Sequence, residues 1–215
     1  MIIGITGLAG SGKDSAAKFI IEKYPEYVKL SFASKLKDII SLLYNWNREA
    51  LEGLTEKNRA WREEKDKKLS KIFNREITPR HELQLIGTGL KGILQKDFWS
   101  RIVEHKIITE NLQNVIITDV RFPDEIEMIK RLGGHIIEIR RIFPGWYTMA
   151  YKANQGKLTF LDKIFNYRDY REYLNIHTSE KSWIGVNNPD LIITNPFGDL
   201  NLLKISILEY MKENS

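Results

Sequence analysis

The sequence predicts an α/β protein, a three-layer α/β/α sandwich with a parallel sheet of about five strands and helical or lid-like insertions. Three observations carry that expectation. Short apolar runs alternate with stretches of helical periodicity along most of the chain. Val115, Ile116 and Ile117 form a continuous apolar run, the pattern of a strand covered by helices on both faces. Pro123 opens a helix bearing Ile126, Ile129 and Leu132, Gly133 and Gly134 stop it, and Ile136 to Ile139 follows as a strand, which makes a βαβ unit.

Met1 to Thr6 is an apolar strand ending at Gly7, and residues 12–23 place Ala16, Phe19 and Ile20 at helical spacing. Residues 27–32 form the second strand candidate. Ser34 is the expected N-cap of a helix carrying Leu36, Ile39, Ile40 and Leu43, with Trp46 extending its buried face. Residues 47–78, crowded with Glu, Lys and Arg, read as a solvated helical insertion. Two helices follow at 80–94 and 97–111, the second with Phe98, Ile102 and Val103 on one face. Residues 191–194 supply the last strand, and Leu200, Leu203, Ile207 and Met211 set a closing helix on the sheet. The segment 143–175 is aromatic and charged without clear periodicity and too long for an ordinary connection; a lid and an interface both fit it. One domain spanning 1–215 is expected.

Composition narrows the class. The chain is 42% hydrophobic and 28% charged, as soluble globular proteins are, and no stretch approaches the ~20 apolar residues of a bilayer span. The N-terminus lacks a signal peptide's basic flank and apolar run, and there is no cysteine for disulfides, so the cytoplasm is the expected location and no membrane partner is expected. The net charge of +5 is spread among interspersed acids and bases, without the basic stripe of a nucleic-acid binder, so no stable nucleic-acid partner is expected.

Chemistry enters at Gly7-Leu8-Ala9-Gly10-Ser11-Gly12-Lys13, which fits G-x-x-x-x-G-K between a first strand and a first helix. Such a loop is a P-loop. Its glycines let backbone N–H groups from Gly10 to Ser15 turn around phosphate oxygens at the positive end of a helix, and Lys13 brings a cation to the β- and γ-phosphates of a nucleoside triphosphate. Asp14 stands where a Ser or Thr hydroxyl usually meets magnesium, and Ser15 is displaced by one position. Asp14 either binds the cation, directly or through water, or is a favourable acid in a helix's first turn while Ser15 caps or packs. Asp119 ends a buried strand, the edge where ligands collect in open parallel sheets, and can hold magnesium or orient an attacking phosphate. Arg121, Arg140 and Arg141 suit clamping of the transferring group, because a guanidinium meets phosphate with two parallel hydrogen bonds.

Taken in order, several segments resemble the bacteriophage-type deoxynucleoside monophosphate kinases, relatives of the other P-loop nucleoside monophosphate kinases. They are the Ser-Gly-Lys-Asp-Ser loop ending at Ser15, Phe32-Ala33 with Lys37, Arg80 with Gln84, Gly87 and Thr88, then Trp99, Asp119-Val120-Arg121 through Glu125, Arg140, His177-Thr178-Ser179-Glu180, and Ile193-Thr194-Asn195. The likeness covers most of the chain in outline, and only the P-loop is specific by itself. The resemblance implies a P-loop kinase fold and transfer of the ATP γ-phosphate to a deoxynucleoside monophosphate, giving the diphosphate and ADP with Mg2+ as cofactor. It implies that Lys13, Asp119, Arg121 and Arg140 are catalytic and that Asp14, Ser15 and Asp119 serve the metal. Lys37, Arg80, Arg121 and Arg140 would surround the monophosphate or the transferring group, with Gln84, Thr88 and Trp99 helping to enclose the nucleoside. His177 and Glu180 fit a turn capped by Thr178 or Ser179 as well as a ligand contact. The long segment between Arg140 and His177 departs from the family pattern, and a homodimer and a monomer with a closing lid both accommodate it. A kinase for another small phosphorylated acceptor, such as phosphomevalonate, and a nucleic-acid-dependent ATPase are the alternatives.

Overall fold

The computed structural model describes residues 1–186 and 188–214. The chain forms two compact units, Met1–Ser31 together with Val103–Ser215, and Phe32–Ile102. In chain order, β1 (Ile2–Thr6), α1 (Lys13–Lys23) and β2 (Val28–Leu30) lie in the first unit. The second holds α2 (Ser34–Tyr44), a 3-10 turn at Ala50–Glu52, α3 (Glu56–Glu63), α4 (Lys67–Ile72) and α5 (Pro79–Ile93), and α6 (Phe98–Thr109) runs across the boundary. Back in the first unit come β3 (Val115–Ile117), α7 (Pro123–Arg131), β4 (His135–Arg140), α8 (Gly145–Asn154), α9 (Phe160–Phe165), α10 (Tyr167–Asn175), α11 (Thr178–Lys181), β5 (Leu191–Thr194) and α12 (Leu200–Asn214).

The five strands of the first unit make one sheet in the order β2-β3-β1-β4-β5, with every pair parallel. Side-chain alternation along β1 builds the layers. Ile3 and Ile5 share a core with Ala16, Ala17 and Ile20 of α1 and Leu203, Ile207 and Met211 of α12. Gly4 faces the other way, so close to α7 that a Cβ there would lie 2.5 Å from Ile129 Cδ1. Helices thus cover both faces, and the predicted three-layer α/β/α fold with five parallel strands is the one observed. Ile3, Ile5, Ile116, Ile117, Ile136 and Ile137 are fully buried, each contributing ~1.5–3 kcal/mol of apolar burial.

That order decides where a ligand goes. From β1 the chain runs to the edge strand β2, returns inward to β3 beside β1 and then crosses to β4 and β5 on the other side, and ligands of open α/β sheets collect beyond the carboxyl ends of the strands at such a switch of side. Gly4 pairs with Ile117 and Thr6 with Glu138. The loops after β1, β3 and β4 therefore leave the sheet side by side.

Some local expectations are corrected. The second strand is only Val28–Leu30; Tyr27 sits in a turn, its N–H donating to the Tyr24 carbonyl at 3.2 Å. Ser34 is the first residue of α2 and not its cap, the cap position being Ala33 without a side-chain acceptor, and the Ser34 carbonyl instead accepts from Arg48 at 3.3 Å. The segment read as lacking periodicity is mostly helical, as α8, α9 and α10, with Trp146, Tyr147, Met149 and Ala150 buried.

The second unit has its own core of Leu36, Ile40, Trp46, Leu51, Ile77 and Trp99. Beside it Glu82 is fully buried. Arg75 Nη1 and Nη2 donate to its two oxygens at 2.5 and 2.8 Å, and Tyr44 Oη donates at 2.5 Å. The Arg75 guanidinium, helped by Tyr44 and His81 against the effect of burial, holds the Glu82 carboxyl down to about 2 from its ordinary 4.5. A depressed carboxyl pKa gives stability that is fully present above the unfolded value and lost as pH falls through the folded one. Denaturant titrations between pH 5 and 2 should therefore show a steeper acid loss of stability in the wild type than in Glu82→Gln, which starts less stable at neutral pH. Parallel curves would remove Glu82 from that role.

Candidate active site

The glycine loop is held from beneath by packing no side chain could share. Gly7 has φ +146°, and a Cβ on it would fall 2.5 Å from the Ile139 carbonyl oxygen. Gly12, φ +107°, enters α1 with Leu203 Cδ2 2.9 Å from where its Cβ would be. Gly7→Ala should cost on the order of 2–3 kcal/mol of stability by combined clash and backbone strain, read by denaturant unfolding; an unchanged midpoint would show that the β4 backbone yields freely.

Lys13 begins α1 and turns back over the loop, its Nζ donating to the carbonyls of Gly7 at 2.7 Å and Leu8 at 2.8 Å. Burial first, and then the neighbouring Arg121 charge, lower the Lys13 ammonium to about 8 against Glu180, Asp14 and Asp119, which raise it. Asp14 accepts from Lys29 Nζ at 2.6 Å and Thr118 Oγ1 at 3.0 Å. Burial alone would raise its carboxyl, but the Lys29 hydrogen bond and charge, with Thr118, set it below the usual range. Ser15 follows in the same turn, half-buried, and Ser11 is buried within the loop.

Beyond β3, Asp119 accepts from Ser31 Oγ at 2.7 Å. The chain then turns sharply because Glu125, in the first turn of α7, accepts from the N–H of Arg121 at 2.6 Å and of Phe122 at 3.0 Å. This turn presents the Arg121 side chain to Glu180 of α11, with which it is ion-paired. Burial works against the Arg121 charge, but Glu180, Asp119 and Glu125 together raise its pKa. At the end of β4, Arg140 donates to both oxygens of the buried Glu138, at 2.6 and 3.1 Å, and Glu138 also accepts from Tyr147 Oη at 3.2 Å. Arg141 Nη1 donates to the Gly10 carbonyl at 2.9 Å.

The first unit thus gathers Gly10 to Ser15, Asp119, Arg121 and Arg140 at the carboxyl edge of β1, β3 and β4. In the second unit, Lys37 Nζ donates to Glu52 at 2.5 Å with only 13% of its side chain exposed, and Arg80 pairs with Glu63 at 3.2 Å. Gln84 and Thr88 are half-buried on α5, the Thr88 hydroxyl donating to the Gln84 carbonyl at 2.6 Å. Trp99 is buried in that unit's core, its indole N–H donating to the Gly87 carbonyl at 2.8 Å. The turn at His177 differs from expectation. The His177 ring nitrogen Nδ1, and neither Thr178 nor Ser179, accepts from the Ser179 N–H, leaving Glu180 to Arg121. Sequence reasoning also missed Glu138, Thr118 and Lys29 as partners of site residues, and no local pattern marks them.

A backbone cradle at a helix N-terminus, a half-buried lysine over it and a nearby half-buried arginine form a receptor for a polyphosphate. No helix among the described residues is long and apolar enough to cross a membrane. No family model matches the chain. A protein of Acanthamoeba polyphaga mimivirus, named provisionally as a deoxynucleotide monophosphate kinase, is 32% identical over a match covering 66% of this chain and 74% of that protein. The deoxynucleoside-5′-monophosphate kinase of Escherichia phage T5 is 26% identical, with 60% of this chain and 72% of that one covered. Among solved structures, the APS kinase of Mycobacterium tuberculosis aligns over 99% of this chain and 97% of its own at 14% identity and a TM-score of 0.41. With a P-loop at the carboxyl edge of a parallel sheet and the mimivirus protein matched at 32% identity over about three quarters of its length, the chain belongs to the family of deoxynucleoside monophosphate kinases.

Proposed function

We propose that this chain transfers the γ-phosphate of ATP to the 5′-phosphate of a deoxynucleoside monophosphate, with Lys13, Asp119, Arg121 and Arg140 as its catalytic residues. One observation supports this most. Lys13 and Arg121 are half-buried cations near enough that Arg121 lowers the Lys13 pKa, a repulsion that phosphate oxygens between them would relieve. Such a pair binds a shared anion more tightly as charge accumulates on it, and this is the condition for stabilising a transferring phosphoryl group.

In this reading the N–H groups from Gly10 to Ser15 and the Lys13 ammonium hold the β- and γ-phosphates of ATP. Arg121 and Arg140 orient and neutralise the transferring group. Lys37 and Arg80 bind the acceptor phosphate, and Gln84, Thr88 and Trp99 border the nucleoside. Asp14, Ser15 and Asp119 would hold Mg2+, and their oxygen-only chemistry suits that hard cation, which commonly takes one or two carboxylates and completes its shell with water and substrate phosphates. When bound, the ion neutralises part of the phosphate charge. Asp119 and Asp14 are kept ready for it by hydroxyl and ammonium donors that hold both carboxylates in place.

The test is an ADP-release assay with magnesium-ATP and each common deoxynucleoside monophosphate, with the products separated by chromatography. Deoxynucleoside diphosphate appearing with one or more of them is the expected result. ATP turnover that yields no diphosphate, or that depends on added DNA, would overturn the reading.

A further inference from the structure

Lys37 stands at one end of a row of charges within the second unit. Its Nζ donates to Glu52 Oε2 at 2.5 Å, and the other oxygen of that carboxylate, Oε1, accepts from Arg48 Nη1 at 2.5 Å. Arg48 Nε in turn donates to Asp38 Oδ1 at 2.7 Å, and Lys35 Nζ lies 3.5 Å from Asp38 Oδ2. The signs therefore alternate along Lys37, Glu52, Arg48, Asp38 and Lys35, and the row begins and ends on a cation.

The backbone fixes this order. Leu36 and Ile40 seat α2 in the core of the unit, and Leu51 seats the 3-10 turn in the same core. Asn47 Oδ1 accepts from the Ala50 N–H at 2.8 Å where that turn begins, and Arg48 and Glu52, four residues apart, meet across it. Arg48, half-buried, is held further by Nη2, which donates to the Ser34 carbonyl at 3.3 Å. Burial works against the Glu52 charge, but the hydrogen bonds from Lys37 and Arg48, with their charges, set its carboxyl below the usual range. Glu52 is thus an anion held by two cations, one on each oxygen.

The two cations differ in what their departure would leave behind. If Lys37 turns toward a phosphate, Glu52 keeps Arg48, and Asp38 keeps both Arg48 and Lys35. If Arg48 were absent, Lys37 would be the one cation of the row on Glu52. Moving it would strand a half-buried carboxylate and set that charge against an incoming phosphate of the same sign. We propose that Arg48 is a positioning residue for acceptor binding: by keeping Glu52 neutralised, it frees Lys37 to reach the acceptor phosphate. This role rests on the reading of Lys37 as a ligand of the deoxynucleoside monophosphate.

Calorimetric titration of the intact chain with the common deoxynucleoside monophosphates, and separately with ATP, tests it. Arg48→Met should weaken monophosphate binding by ~10-fold or more, the worth of one charge-assisted hydrogen bond, with ATP affinity unchanged. Adding Glu52→Gln to Arg48→Met should restore monophosphate binding, because the carboxylate that retained Lys37 is gone; loss of a merely structural contact would not be repaired in this way. Equal monophosphate affinity in wild type and Arg48→Met, an equal weakening of ATP, or a double variant as weak as the single one would each overturn the proposal. If Arg48→Met does not fold, Glu52→Gln alone reads the same release. It should bind monophosphate more tightly than wild type, and equal or weaker binding would end the proposal. A wild type that binds none of the monophosphates would remove the acceptor reading itself, and the role of Arg48 with it.

Discussion

Lys13→Ala should lower phosphoryl transfer by two to three orders of magnitude, ~3 kcal/mol in barrier height, while the protein folds normally. The loss falls on chemistry because the ammonium is a single point charge placed at the loop, partly desolvated, where its effect on developing phosphate charge is not screened by water. Folding survives because the inward face of α1, formed by Ala16, Ala17 and Ile20, is untouched. The backbone N–H groups of the loop remain, so nucleotide binding should weaken less than turnover does. Comparing single-turnover rates with nucleotide affinity in the two proteins checks this. A folded variant with near-normal turnover would remove Lys13 from catalysis.

Arg121→Ala should cost a similar ~3 kcal/mol in barrier height, by opening the charge clamp around the transferring group. Two consequences separate Arg121 from a residue that only supports the fold. Arg121→Lys keeps the charge but loses the two-pronged geometry, so it should recover only part of the activity. The alanine variant also leaves Glu180 without its guanidinium partner, so Arg121→Ala combined with Glu180→Gln should be more stable than Arg121→Ala alone while staying equally inactive. Steady-state kinetics and thermal unfolding on the three variants give both readings. Wild-type kcat in Arg121→Ala would exclude the clamp.

The parts of the fold that could be read from the sequence are those in which burial on two faces leaves no polar interruption. β1 and β3 emerge as plain apolar runs for that reason, the edge strand at 191–194 by its apolar, β-branched composition alone, and the glycine loop is legible because backbone curvature demands glycine at fixed spacing. β2 was overestimated, since at the sheet edge two of its three residues are exposed and nothing in the apolar pattern marks where pairing stops. The 143–175 segment failed as a helical reading because α9 inverts the usual pattern and is only six residues long. The site was half legible. Lys13, Asp119 and Arg121 announce themselves by type and position, but the carboxylate that receives Arg121 stands 59 residues away in sequence, and the hydroxyl on Asp14 stands 104 away. Such pairings are created by the order of strands in the sheet and leave no local trace.

Each cation that this chain offers for phosphate already has an occupant. Arg121 is held by Glu180, Arg140 by Glu138, Lys37 by Glu52 and Arg80 by Glu63, and Lys13 rests on two of its own loop's carbonyls. Binding is therefore a series of exchanges, in which an incoming anion gains only the difference between its own contacts and those it displaces. A chloride or a lone carboxylate offers little more than the resident groups do. A phosphate ester, carrying nearly two charges and oxygens spaced for a guanidinium fork, gains at every exchange, so the resting protein filters its ligands before any pocket has judged their shape.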